Sequence, residues 1–282
     1  VIRIVTDTDS NLPQDIVDAH GITLVPIQII FGDRVLRERV DISDAESYRM
    51  MSAAKELPKT SQPPIGAFKT AYEDILSGEP DAQILSIHIS SKLSGTISSA
   101  RQAADLLPGV DITLFDTFSA SLGQGLMVVR AAEMARQGAD VAAIMAALEV
   151  MRERMEVYFV LNTLDYLAKG GRIGKASHLM GQLLDIKPIL VLEDGEIDAH
   201  SRHRTWRRAV DALCGLVMES AGGTESIHIG VLHAVSEAAA RALADDLKEA
   251  LNPDTLILGE VGPGLGVHTG PGALGLCWVT DV

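Results

Sequence analysis

The chain has 282 residues, 47% hydrophobic and 22% charged, enough for two domains or one large one and well outside the composition of a disordered chain. A formal net charge of −14 works against binding to phosphate backbones or anionic lipid surfaces. Two cysteines, Cys214 and Cys277, form no CxxC or dense pattern, so neither a disulfide scaffold nor a zinc site is expected, and no run approaches the roughly 18 apolar residues of a membrane span.

The elements alternate in type along the chain. Val1–Thr6 reads as a buried strand rather than a signal peptide, which leaves the cytoplasm as the expected compartment. Pro13–His20 reads as a helix with Gly21 just past its end, and Ile22–Phe31 as one extended segment that turns at Gly32-Asp33. Ser43-Asp44-Ala45-Glu46 is a capping box opening a helix through about Lys55. A breaker-rich loop, Pro58–Pro64, precedes a helix from Ile65 to Ser77. Ile84–Ile89 and Ile112–Phe115 read as strands, each followed by a small-residue loop and a helix. This repetition predicts parallel βαβ units.

After a helix at Asp140–Arg154, the second half opens with strand Val157–Leu161. Lys187–Leu192 and Glu196–His200 form a hairpin through Asp194-Gly195. A helix from Thr205, strand Ile227–Leu232, helix Ser236–Leu251 and strand Leu256–Glu260 follow, then a glycine-rich loop, Gly262–Gly275, and a last strand. The expected fold is α/β, with two α/β domains at 1–155 and 156–282. The first would have a mainly parallel sheet, the second a mixed one.

Three loops of the first half, Asp7–Ser10, Ser90–Thr96 and Asp116–Ser121, follow strands and precede helices, and all are rich in small polar side chains. Such loops line the crevice at the carboxyl ends of an open sheet. Thr60 and Ser61 sit just before a helix, whose free N–H groups favour anions. Hydroxyls without a nearby lysine suit a single carboxylate, although ordinary N-capping accounts for most Ser and Thr at such places. Ser94-Gly95-Thr96 lacks the G-x-S-x-G of a nucleophile elbow, and His88 alternates into a strand as a core histidine.

Other motifs carry competing chemistry. Asp7-Thr8-Asp9 after a strand is like the D-x-D loop of haloacid-dehalogenase-type phosphatases, with Asp7 as nucleophile and Asp9 as acid/base. That chemistry needs further carboxylates for Mg²⁺ and a lysine, and the later pair Asp245-Asp246 lies mid-helix. Gly270–Gly275 matches G-x-G-x-x-G but has too little chain after it for a dinucleotide fold. The same glycines would let the main chain near His268 approach a ligand closely. Arg202, Arg204, Arg207 and Arg208 stand together in an acidic protein, and Arg172 lies between Gly171 and Ile173. Arginine suits bidentate recognition of carboxylate or phosphate, or docking of an acidic partner; a solvated helix start is the plainer reading.

Together these segments resemble the DegV family, which includes the fatty-acid-binding subunit of bacterial fatty acid kinase. The likeness rests on Thr60-Ser61-Gln62-Pro63, Ser90–Thr96, Asp116-Thr117, Gly123-Gln124-Gly125, Tyr166–Gly174, Lys187–Leu190 and His268–Gly275, collinear over nearly the whole chain. The resemblance implies a long-chain fatty acid in a tunnel between two domains and no cofactor. It implies that Thr60 and Ser94, with Ser61 and the Gly95 amide, hold the carboxylate, and that His268 lies near it. Arg172 and Arg202 would face a kinase partner that makes the acyl phosphate, so the chain itself would be a carrier and not an enzyme. Two positions depart from the pattern: Pro64 stands where a serine is expected and Ala168 where lysine is common. His178–Leu184 is one candidate for a tunnel wall.

Overall fold

The computed structural model describes residues 1–54, 56–180 and 186–282. Strand β1 (Ile2–Asp7) leads through a 3-10 turn at Thr8–Ser10 into α1 (Gln14–His20), which ends on Gly21 in the left-handed region. Then come β2 (Thr23–Val25), β3 (Gln28–Phe31), β4 (Arg34–Arg37), α2 (Asp44–Ala53) and β5 (Lys59–Ser61). They are followed by α3 (Ile65–Gly78), β6 (Gln83–His88), α4 (Thr96–Asp105), β7 (Ile112–Asp116), α5 (Leu122–Arg136) and α6 (Val141–Arg154). The rest comprises β8 (Glu156–Val160), α7 (Asp165–Lys169), a 3-10 turn at Gly174–Leu179, β9 (Lys187–Glu193) and β10 (Glu196–His203). Last are α8 (Trp206–Ser220), β11 (Ile227–His233), α9 (Glu237–Leu251), β12 (Thr255–Glu260), α10 (Pro263–Thr269) and β13 (Leu274–Thr280).

The expected α/β architecture is present. Among the described residues the strands form a parallel sheet ordered β2-β1-β6-β7 and a six-stranded mixed sheet ordered β10-β9-β8-β13-β11-β12. Among the described residues of the mixed sheet, only β11 and β12 pair in parallel. A small antiparallel sheet, β4-β3-β5, was not anticipated. Its cause lies at Pro26: the segment Ile22–Phe31 breaks there, giving β2 to the parallel sheet and β3 to the small one.

Local signals explain most element ends. Ser43 caps α2 by accepting from the Glu46 amide, Asp140 caps α6 through the Ala143 amide, and Thr205 caps α8 through the Arg208 amide. Asp194 and Gly195, with φ of 49° and 77°, turn β9 into β10. That strand runs on to His203, so Arg202 is a strand residue opposite Pro188 and not a helix start. The glycine-rich segment also differs from expectation. It folds as α10, with Pro263 at the first helical position and Gly270 (φ 72°) closing the end.

The layers stack through α5. Helices α3 and α4 cover one face of the parallel sheet, and α5 lies against its β1 strand from the other side. The far side of α5 meets β11 and β13 of the mixed sheet, whose outer face is covered by α8 and α9. Such close approach on both sides requires small residues: a methyl at Gly125 would lie 2.9 Å from the Ser10 carbonyl, and one at Gly123 would lie 2.8 Å from Val157. One continuous apolar cluster, from Ile4 to Val279, therefore runs through both halves. Cys214 and Cys277 are free thiols. Among the described residues no helix is long and apolar enough to cross a membrane.

Candidate functional site

The order of the parallel sheet reverses direction between β1 and β6, and the crevice at such a point is where open α/β sheets bind ligands. Asp7 ends β1 and His88 ends β6, so the loops after them flank that crevice. A cavity lies there, lined by residues of both halves. Its apolar walls include Ile27 and Leu93 from the first half and Val157, Phe159, Leu192 and Leu232 from the second.

The polar part of the lining is small and mostly uncharged. Thr60, on β5, holds its Oγ1 2.9 Å from Nε2 of His268, on α10. Burial first, and the positive charge of Arg172 second, pull the His268 pKa from 6.5 down to about 4, so this ring is neutral near pH 7. Its Nδ1 has no hydrogen-bond partner and rests against Gly170, where a methyl would come within 2.1 Å. Ser94 lines the same cavity just before α4, with its Oγ 2.8 Å from the Thr96 hydroxyl. Ser61 is part-buried beside Thr60, and its hydroxyl donates to the Gln62 carbonyl at 3.3 Å. Gly95 is the N-cap of α4 and packs tightly on the Gln62 side chain.

Thr60 and Ser61 were expected in a loop at a helix N-terminus. They lie instead in β5, paired with Ile29 and Gln28, and α3 begins four residues later. Strand pairing, not capping, fixes Thr60, which aims its hydroxyl at α10. The structure thus brings Thr60, Ser61, Ser94 and His268 to one cavity, with Gly95 adjacent. Arg172 also lines it, donating to the Leu93 carbonyl at 3.1 Å and to the Gly170 carbonyl at 2.8 Å. Arg202 is exposed on β10 and is not among the described residues of the lining. Nor do residues 178–180 of the suggested wall contribute, and 181–184 lie outside the described residues.

Beside this polar group sits a buried acid cluster. Glu38 is completely buried: Thr8 Oγ1 donates to its Oε2 and the Gly264 amide donates to Oε1 at 3.2 Å. Desolvation outweighs those bonds and raises its pKa from 4.5 to about 7. Asp9 is 4% exposed and lines the cavity, and its Oδ1 has no hydrogen-bond partner. Burial, then the nearby Asp7 and Glu38, hold Asp9 well above the usual carboxylate range, against the pull of Arg172. Nothing in the sequence near Glu38 marks it as a cavity neighbour; only the β3–β4 hairpin carries it there.

Asp7, the nucleophile of the phosphatase reading, is fully buried, and its Oδ2 accepts from Gln124 at 3.1 Å and from the Ile89 amide at 3.3 Å. Among the described residues no group of three or more His, Cys, Asp and Glu is arranged to hold a metal ion.

Fold and site together define an α/β protein built around an apolar cavity with neutral donors gathered on one side. The chain belongs to the DegV family, whose model matches residues 1–281. A DegV domain-containing protein of Deinococcus radiodurans is 38% identical over 279 residues, covering 98% of this chain and 97% of that one. A solved Thermus thermophilus structure, described as fatty acid binding of a DegV family protein, matches with a TM-score of 0.93 at 36% identity, covering 99% of each chain. DegV of Bacillus subtilis, described as a fatty acid binding protein, matches with a TM-score of 0.91 at 32% identity, again over 99% of each chain.

Proposed function

We propose that this chain binds a long-chain fatty acid in its central cavity and presents the carboxylate to a separate kinase, performing no bond-making chemistry itself. The cavity would serve as a tunnel between two domains that divide near residue 155. The observation that carries the reading is the Thr60–His268 pair: a hydroxyl and a neutral imidazole, 2.9 Å apart, on a cavity whose walls are otherwise largely apolar. Each buried methylene contributes about 0.8 kcal/mol, so a long acyl chain supplies on the order of ten kcal/mol before ordering costs. Few polar contacts are then needed, and they serve to orient the acid group.

In this reading Thr60, Ser61, Ser94, the Gly95 amide and His268 hold the carboxylate, leaving it open to phosphorylation to an acyl phosphate. Arg172 and Arg202 face the kinase subunit in the cytoplasm, and no cofactor is required. The descriptions of the Thermus and Bacillus relatives support the ligand class. Mass spectrometry of the purified protein before and after organic extraction tests it: one fatty acid per chain is expected. Ser94→Ala should weaken binding, whereas Arg202→Ala should spare binding and impair phosphorylation by the partner. Equal loss of lipid in both variants would sink the division of roles, and Mg²⁺-dependent phosphatase activity abolished by Asp7→Asn would replace the whole reading.

A further inference from the structure

The cavity carries a buried acid that the carboxylate-binding set above leaves unused. Asp9 is 4% exposed, lines the cavity, and has an Oδ1 without a partner. A buried polar oxygen in that state is costly unless it meets a ligand or water. Its position relative to the proposed carboxylate contacts follows from α10. A methyl on Gly264 would lie 2.3 Å from Asp9 Oδ1, so that oxygen packs against the helix at residue 264. His268, which holds Thr60, is one helical turn further on the same face. Residues four apart on a helix have side chains about 5–6 Å from each other. A carboxylate with a hydrogen bond of about 2.7 Å to a donor on either side spans a similar distance.

We propose that Asp9 is a further ligand-positioning residue, whose protonated carboxyl group donates a hydrogen bond to the fatty-acid carboxylate opposite Thr60. This rests on the fatty-acid reading of the cavity. Protonated Asp9 would give a charge-assisted O–H···O⁻ contact to an ionised acid, and a weaker one to a neutral head such as an alcohol. The site would therefore distinguish a free acid from its uncharged analogues by means of a proton and without a buried cation.

The groups facing Asp9 favour its neutral form. Asp7 from β1 and Glu38 from the end of the β3–β4 hairpin are both acidic; Arg172, after α7, opposes them. From α10 come the Gly264 backbone and the neutral His268 ring, and Glu38 is itself under the influence of Asp44 and Arg39. Once Asp9 ionises, it repels the ligand it held. Preference for acid over alcohol should accordingly be high at low pH and decline as pH rises.

The test uses the full chain with hexadecanoic acid and hexadecanol, titrated from pH 6 to pH 9, and reads the ratio of the two affinities. In wild type this ratio should fall as pH rises. Asp9→Asn retains a donor without a titrating proton, and should make the ratio fall much less than in wild type, the remainder coming from Glu38 near pH 7. Asp9→Ala should lower hexadecanoic acid affinity about tenfold at pH 6, equivalent to one charge-assisted bond, and lower hexadecanol affinity by clearly less. Should the alanine variant fail to fold, the asparagine profile decides alone. A ratio in Asp9→Asn that tracks wild type, or unaltered acid binding by a folded Asp9→Ala, overturns the assignment while leaving the fatty-acid reading intact. Failure of wild type to bind either compound overturns both.

Discussion

His88 Nδ1 lies 2.8 Å from Asp7 Oδ2, and both side chains are completely buried. On the far side of the ring, Nε2 is 2.7 Å from the Ser86 hydroxyl, which in turn meets the Tyr72 hydroxyl at 2.9 Å. The connectivity is that of a serine–histidine–aspartate relay, but Ser86 is sealed between β6 and α3 and has no route to a substrate. The relay links the two strands on either side of the crevice and holds their carboxyl ends in register. Its role is to position the loops that follow.

Ser86→Ala separates that role from catalysis. Loss of the hydroxyl strips a partner from both His88 and Tyr72, and should destabilise the fold by about 1–3 kcal/mol in urea unfolding. A fluorophosphonate probe analysed by mass spectrometry should leave Ser86 unlabelled in the wild-type protein. Labelling there would show that the pocket opens.

The pH response of stability has two opposed parts. Glu38 holds a proton in the fold between 4.5 and about 7 that the unfolded chain releases, so its contribution is full below 4.5 and fades as pH rises through 7. His268 runs the other way. Its neutral ring contributes fully above 6.5, and that contribution is lost as pH falls toward 4. Glu38→Gln should therefore flatten the decline on the alkaline side, with a higher melting temperature than wild type at pH 8 and a smaller difference at pH 5.

Two adjacent glycines give a paired test of the Thr60–His268 contact. Gly170 has an ordinary φ of −78°, so alanine costs little in the backbone, but its methyl would press on His268 Nδ1. Gly170→Ala should weaken hexadecanoic acid binding roughly tenfold by pushing the ring from Thr60. Gly171 has a φ of +70° and open space around its Cβ position. Gly171→Ala should instead cost about 1 kcal/mol of stability and spare the affinity. Isothermal titration alongside thermal melts checks both, and an inverted pattern would rule out the contact as a binding determinant.

Filling the apolar wall should shorten the ligand. Leu192 is nearly buried in the cavity wall, and Leu192→Trp replaces empty space with an indole. Affinity for octadecanoic acid should fall by tenfold or more, with octanoic acid much less affected, in a competition assay against a fluorescent fatty acid. Overpacking could itself cost about 1–3 kcal/mol of stability, so the melt is recorded in parallel.

Periodicity and capping chemistry made much of this architecture readable: Ser43, Asp140 and Thr205 mark helix starts within a residue, and Asp194-Gly195 marks a hairpin. Partner choice between strands was less accessible, because Pro26 splits an apolar run without revealing which sheet each piece joins. Helix α10 was hidden by its glycines, whose low helix propensity is overridden by packing against Asp9, Glu38 and Tyr48. Thr60, Ser94 and His268 could be singled out by residue pattern and resemblance. The apolar lining could not, since a leucine facing a cavity and one facing a core have the same local pattern.

Helix α5, buried at ten of its fifteen positions, gives each sheet the surface it packs against. A cut near residue 155 would strand it with the first fragment and strip β11 and β13 of their cover. Proteolytic halves should then rescue one another on mixing far better than either survives apart. For the same reason, a ligand threading the space beside this shared rod would report on the integrity of the entire molecule.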